Sequence, residues 1–163
     1  MCKTGHSFVE KMMEKEKAIL GGEVSGHLFF AENYYGYDDA LLAALKILTV
    51  VWNSGKKLGE HFADLPKTFI TPEIKVKVSE HEKFTILKKI VQHFLKKYPD
   101  ALTIDGIRIE FGEGAWGIVR VSNTSAYLTM RFEARSEEKL KMIQREVFDH
   151  LRLYTEISDV PKI

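Results

Sequence analysis

Gly21-Gly22-Glu23-Val24-Ser25-Gly26-His27-Leu28-Phe29-Phe30 places a carboxylate, a hydroxyl and an imidazole within five residues, with glycines on both sides and an apolar run behind. Glycine permits positive φ and lets the backbone approach a ligand closely, so Glu23, Ser25 and His27 can converge on one small polar molecule. The same residues suit a tight turn entering a buried strand, with the carboxylate and the imidazole merely bonded to each other. On either reading Leu28-Phe29-Phe30 is a short strand.

Working outward, Ser7-Phe8-Val9-Glu10 has the pattern of a capping box. It predicts a helix to about Lys17, with Phe8, Met12 and Met13 partly on one face. Asn33-Tyr34-Tyr35-Gly36-Tyr37 reads as an aromatic turn. Asp38 or Asp39 then caps a helix whose Leu41, Leu42, Leu45, Leu48 and Trp52 recur at helical spacing, and Asn53-Ser54-Gly55 stops it. A short helical piece follows around Lys57 to Phe62. Between Pro66 and Pro72 the character of the chain changes, which divides it into residues 1–66 and 67–163.

In the second part Ile74, Val76 and Val78 alternate with lysines, the period of a half-buried strand. Ser79 and Glu82 read as a second capping box, ahead of a helix with an apolar stripe from Phe84 to Tyr98. Leu102–Ile104 turns at Asp105-Gly106 into Ile107–Phe111, a hairpin signal. Gly112-Glu113-Gly114 turns into Trp116–Val121, and Tyr127–Glu133 is the last strand. The glycines at 112, 114 and 117 lack Walker spacing and read as hairpin turns. Ser136, Glu137 and Glu138 open a closing helix. The predicted fold is an α/β partial domain, helix-strand-helix from a mixed sheet. An α+β domain follows, with an antiparallel sheet of four to five strands and two helices on one face.

Composition narrows the function classes. The 163 residues are 45% apolar and 29% charged, with net charge +1, which gives no footprint for nucleic acid or for a membrane surface. The longest apolar run, Ala40 to Trp52, is broken by Lys46 and too short to span a bilayer. The first residues lack the apolar core of a signal peptide. One cysteine excludes an intrachain disulfide and fits a cytoplasmic location. Six histidines occur, none in a cluster at zinc-ligand spacing, so no metal ligand is expected in this chain.

A second polar loop, Arg120-Val121-Ser122-Asn123-Thr124-Ser125, falls between two predicted strands. Arginine matches a phosphate in charge and fork geometry, and Ser122, Asn123 and Thr124 can donate to its remaining oxygens. An ordinary polar hairpin would have the same composition.

Seven stretches, in order, give the chain its resemblance to the α-D-phosphohexomutases, the phosphoglucomutase/phosphomannomutase family. Lys3-Thr4-Gly5-His6-Ser7 resembles a phosphosugar-contacting loop of the family's third domain. Gly22-Glu23-Val24-Ser25-Gly26-His27 resembles that domain's sugar-binding loop, with valine for the usual methionine. Tyr35-Gly36-Tyr37-Asp38-Asp39 continues it. Asp105-Gly106-Ile107-Arg108, Trp116-Gly117 and Arg120-Val121-Ser122-Asn123-Thr124 resemble the fourth domain's hairpin and phosphate-binding loop, and Arg131-Phe132-Glu133-Ala134 the next strand. On this resemblance residues 1–66 are the C-terminal portion of domain 3, and residues 67–163 are domain 4.

The resemblance implies a reversible shift of phosphate between O1 and O6 of glucose or mannose. It proceeds through a phosphoserine and a bisphosphorylated sugar, with Mg2+ assisting. Glu23 and Ser25 would grip sugar hydroxyls, Lys3 and His27 would contact the phosphosugar, and Arg120, Ser122, Asn123 and Thr124 would cradle its phosphate. His27 could also assist the chemistry. No Thr-Ala-Ser-His-Asn-Pro-like phosphoserine loop and no Asp-Gly-Asp metal loop occurs in these residues. The expectation is therefore a C-terminal mutase fragment, inactive alone, binding no metal, and self-associating or pairing with the N-terminal domains. The alternative is a stand-alone, non-catalytic hexose-phosphate-binding module. Ser125-Ala126 replaces the family's usual polar residue and proline, which should loosen the loop exit.

Overall fold

Gly21 and Gly22 lie in a strand, one the sequence did not announce. In the computed structural model, which describes residues 1–122 and 124–163, Leu20–Gly22 (β1) pairs antiparallel with Leu28–Phe30 (β2), Gly21 opposite Phe29. Glu23 to His27 are thus the tip of a hairpin. Gly21 is needed for packing: a Cβ there would stand 2.5 Å from Met13 Sδ. The helix His6–Glu16 (α1) lays Val9 and Met13 against fully buried Phe29, and these three, flanked by Cys2 and Ala18, form the core of the unit Met1–Leu65.

The capping box expected at Ser7 does not form. Ser7 lies inside α1, whose N-cap is Gly5 at φ 128° with no side-chain cap. The Gly5 N–H donates instead to Glu23 Oε1 at 3.0 Å, a tertiary bond that the local pattern could not show. Asp39 does cap the helix Ala40–Ser54 (α2), accepting from the Leu41 and Leu42 N–H groups, and Gly55 closes it at φ 65°. The α2 leucine stripe has no core within its unit: Leu41, Leu45, Leu48 and Trp52 are exposed, Trp52 to 87%. A 3-10 helix spans Leu58–Phe62. No helix among the described residues is long and apolar enough to cross a membrane.

The unit Pro66–Ile163 is built on a six-stranded antiparallel sheet. Its members are Phe69–Ile70 (β3), Ile74–Val78 (β4), Ile107–Gly112 (β5), Ala115–Val121 (β6), Tyr127–Ala134 (β7) and Ile157–Ser158 (β8). The order is β5-β6-β7-β4-β8, with β3 on β7. The sheet exceeds the expected four to five strands because β3 and β8 have two residues each, too few to show a period. The strand expected at Leu102–Ile104 reduces to a single bridge, Leu102 with Arg108. The helices Lys83–Lys97 (α3) and Glu137–Leu151 (α4) pack on β6 and share one core with the sheet. Ile86, Ile90, Phe94, Ile143 and Phe148 meet Val119, Leu128, Met130 and Phe132 there, each burial worth roughly 1.5–3 kcal/mol. Gly117 is no turn residue. It lies within β6, and a Cβ on it would stand 2.6 Å from the Phe132 ring.

The second capping box also fails. The carbonyl of Ser79 accepts from Glu82 and Lys83 in a turn, and α3 starts at Lys83 without a side-chain cap. Ser136 caps α4 through the Lys139 N–H, as its sequence suggests.

Between α3 and α4 the His93 and His150 rings stack at 3.6 Å. Burial, aided by His93, lowers His150 to about 4. Its unfolded counterpart takes a proton near pH 6.5, so below that pH protons favour the unfolded chain until His150 itself titrates. The unit should therefore be at full strength above about pH 6.5 and lose stability down to about pH 4. Urea midpoints for His150→Gln should be flatter across that window. An equally steep profile in the variant would assign the loss elsewhere.

Candidate functional site

In the first unit the hairpin tip is held by Glu23 N–H donating to His27 O at 3.0 Å and Gly26 N–H donating to Glu23 O at 2.9 Å, with Gly26 at φ 93°. Inside this frame Ser25 Oγ lies 2.6 Å from His27 Nδ1, and Glu23 Oε2 lies 3.6 Å from the same nitrogen. The Glu23 side chain is only 13% exposed and is anchored by Gly5. That anchor draws in the stretch before α1, so the His6 ring sits 4.9 Å from the His27 ring. A bridge between Phe29 and Asp38 sets Asp38 alongside, 3.1 Å from His6 Nδ1 and 3.9 Å from His27 Nε2.

Glu23, Ser25 and His27, named from sequence, thus meet in one turn. Lys3 is exposed, and its ammonium lies over the Phe8 ring at 5.8 Å. His6 and Asp38 join the cluster although their spacing along the chain gave no sign of it. The group offers acceptors from Glu23, a mixed hydroxyl at Ser25 and an imidazole, suited to adjacent hydroxyls of a small polyol. It is not a nucleophile relay. The carboxylate behind His27 Nε2 stands beyond hydrogen-bond range, so nothing orients the ring as a base for Ser25.

Just beyond, the Tyr34 hydroxyl donates to Asp39 Oδ2 at 2.6 Å. That bond, with the Leu42 N–H, lowers the Asp39 carboxyl, while Tyr34 is pushed far up by the same carboxylate.

In the second unit, Val119 and Val121 of β6 point into the helix-covered core, which puts Arg120 on the opposite face. Its Nη1 is 3.4 Å from Asp105 Oδ2. After β6 the Ser122 N–H donates to Tyr127 O, and the Tyr127 N–H to Ser125 O. The hydroxyls of Ser122, Thr124 and Ser125 lie 3.3–3.5 Å apart, a small polar floor to which Ser125 contributes although it was not among the residues expected to bind phosphate. Asn123, expected to bind phosphate, lies outside the described residues.

Beneath this loop is Lys83, only 2% exposed. Its ammonium donates to the carbonyls of Ser122 at 3.1 Å and Ser125 at 3.2 Å and pairs with Glu80 at 2.6 Å. The loop exit, expected to be loose without its proline, is therefore tied down from below. The one available sequence signal was position: a cation in the first turn of a helix opposes the dipole and implies compensating partners. Lys83→Met should keep the unit folded, because an apolar chain of similar length replaces a buried charge. Freed of two charge-assisted bonds, the loop should bind inorganic phosphate about tenfold more weakly. Calorimetry showing unchanged phosphate affinity in the folded variant would remove Lys83 from the account.

Magnesium prefers an all-oxygen, octahedral environment. Among the described residues the one group of candidate metal ligands is His6, Glu23 and His27, with two nitrogen donors, which does not fit it.

Comparison with known proteins gives a consistent result. Residues 1–69 match the model of phosphoglucomutase/phosphomannomutase alpha/beta/alpha domain III, and residues 73–150 that of the phosphoglucomutase/phosphomannomutase C-terminal domain. The chain is 37% identical over 161 residues to a phosphomannomutase/phosphoglucomutase of Pseudomonas syringae pv. tomato, covering 99% of this chain and 34% of that protein. It is 35% identical over 150 residues to a phosphoglucomutase of Neisseria meningitidis serogroup A, covering 90% and 32%. A crystal structure of a phosphoglucomutase/phosphomannomutase family protein from Burkholderia thailandensis superposes with TM-score 0.80 at 30% identity, covering 96% of this chain and 33% of that one. The chain thus spans about a third of the length of the relatives it matches.

Proposed function

The chain belongs to the phosphoglucomutase/phosphomannomutase family, and we propose that it supplies the sugar- and phosphate-binding portion of a phosphohexomutase. Such an enzyme interconverts hexose 1-phosphate and hexose 6-phosphate, of glucose or mannose, through a phosphoserine and a bisphosphorylated sugar. The observation that carries this is the hairpin tip, where Glu23, Ser25 and His27 meet with Glu23 locked by the Gly5 N–H. A preorganised carboxylate accepts hydrogen bonds from two neighbouring hydroxyls without rearranging, and Ser25 and His27 add adaptable donors. Lys3, exposed near the start of the same unit, adds positive charge for the phosphosugar.

Arg120, Ser122, Asn123 and Thr124 are assigned the phosphate. The guanidinium neutralises it, and the loop hydroxyls and amides donate to its oxygens. Mg2+ would neutralise charge on the transferring phosphoryl group in the complete reaction. No residue described here is assigned to it. A cytoplasmic setting, where sugar phosphates and a free thiol such as Cys2 coexist, suits this role.

The test pairs two assays on the 163-residue chain. Calorimetry with glucose 6-phosphate should show binding, and a coupled assay with glucose 1-phosphate should show no turnover, because neither a phosphoserine loop nor an Asp-Gly-Asp loop is present. Turnover by rigorously purified protein, or no binding at all, would contradict the assignment.

A further inference from the structure

We propose that His6, Glu23 and His27 form a binding site for a divalent transition metal of the zinc class, which sugar-loop chemistry alone does not require. One donor atom from each of the three lies within 4.8 Å of the others. Zinc at bond lengths of 2.0–2.2 Å holds its tetrahedral ligands roughly 3.4 Å apart. Glu23 Oε2 and His27 Nδ1 are already 3.6 Å apart. The remaining closure falls to the two imidazoles, whose side chains are 53% exposed at His6 and 45% at His27, with the Ser25 hydroxyl giving up its 2.6 Å contact to His27 Nδ1 when the metal binds.

The surroundings favour a cation. Glu23 is anchored through its other oxygen by the Gly5 N–H, so the carboxylate is held in place before any metal arrives. Asp38 adds a second negative charge and sits 3.1 Å from His6 Nδ1. A carboxylate on one ring nitrogen fixes the tautomer and leaves the other nitrogen as a lone-pair donor, the usual support of a metal-bound histidine. Two nitrogens and a carboxylate oxygen select zinc, copper, nickel or cobalt over magnesium. Three protein ligands leave a fourth position open to water or ligand. The other close histidine pair, His93 and His150, offers no comparable site, because its rings stack face to face and their lone pairs lie in parallel planes.

A metal here takes the Glu23 oxygen and the His27 nitrogen assigned above to the sugar. Metal and hexose phosphate therefore compete, a consequence that rests on the sugar-binding reading while the metal site itself does not.

Zinc chloride titrated calorimetrically into the full chain should show one site per chain. His6→Gln and His27→Gln should each weaken it by ~10-fold or more, with unchanged amide circular dichroism. His93→Gln should leave it intact, and magnesium chloride should give no heat. Should a variant misfold, zinc-induced shifts of the His6 and His27 ring signals in the unmodified protein decide the matter. No zinc binding, binding that survives both substitutions, or ring shifts confined to other histidines would overturn the site. Zinc that binds at these residues without weakening glucose 6-phosphate would leave the metal site standing and count against the sugar-binding reading alone.

Discussion

Arg120→Ala is expected to weaken glucose 6-phosphate binding roughly tenfold to a hundredfold, against about fivefold for Ser122→Ala. In the proposed role the guanidinium would make charge-assisted bonds to phosphate, about 1.5–3 kcal/mol, whereas a neutral hydroxyl contributes about 1 kcal/mol. A second effect adds to the difference. Arg120 lies beside Asp105, 3.4 Å away, and its removal leaves that carboxylate's charge less screened near an incoming dianion. Ser122 leaves no comparable charge behind, and Thr124 and Ser125 keep hydroxyls within 3.5 Å of the vacated position. Calorimetry on the two folded variants measures both losses. Equal losses would mean that this loop is a turn with no phosphate preference.

Gly106→Ala should cost the second unit about 3 kcal/mol or more. Gly106 has φ 83°, a left-handed backbone that costs an L-residue ~1–2 kcal/mol. Space is the larger problem: the added Cβ would lie 2.1 Å from Val119 O and 2.8 Å from Arg120 Cα. Both are backbone atoms of β6, so relief requires moving a central strand rather than turning a side chain. Gly112→Ala isolates the conformational part. It has φ 80° but nothing within 4 Å of a built Cβ, and should cost only about 1 kcal/mol. Urea midpoints for the two variants give the comparison. Similar midpoints would mean that Asp105-Gly106 does not press on β6 as described.

How far the sequence could be read follows from the range of the forces involved. β4 to β7 were legible because one face of each is buried, which imprints a period of two on Ile74–Val78 and Ile107–Phe111. The caps at Asp39 and Ser136 were legible because the bonds they make are local. The same local logic misled at Ser7 and Ser79. At the first, a carboxylate 18 residues away took the Gly5 N–H; at the second, a turn delayed the helix to Lys83. β1 was hidden by its glycines, which carry no side chain to show a period.

In the candidate site, Glu23, Ser25 and His27 were visible because they are neighbours in sequence. His6 and Asp38 were invisible to spacing because α1 and the bridge to Phe29 bring them in. Lys83 escaped for the converse reason. Lysine is rarely buried, so a pattern of apolar positions passes over the one that supports the loop proposed to bind phosphate.

The most direct test of the sugar- and phosphate-binding assignment is a proton–nitrogen correlation spectrum of the isotope-labelled chain titrated with glucose 6-phosphate. Saturable shifts are expected for the amides from Glu23 to His27 and from Arg120 to Ser125. Inorganic phosphate should reproduce only the second set. Shifts at neither stretch on addition of the sugar phosphate, or an identical pattern with phosphate alone, would contradict it.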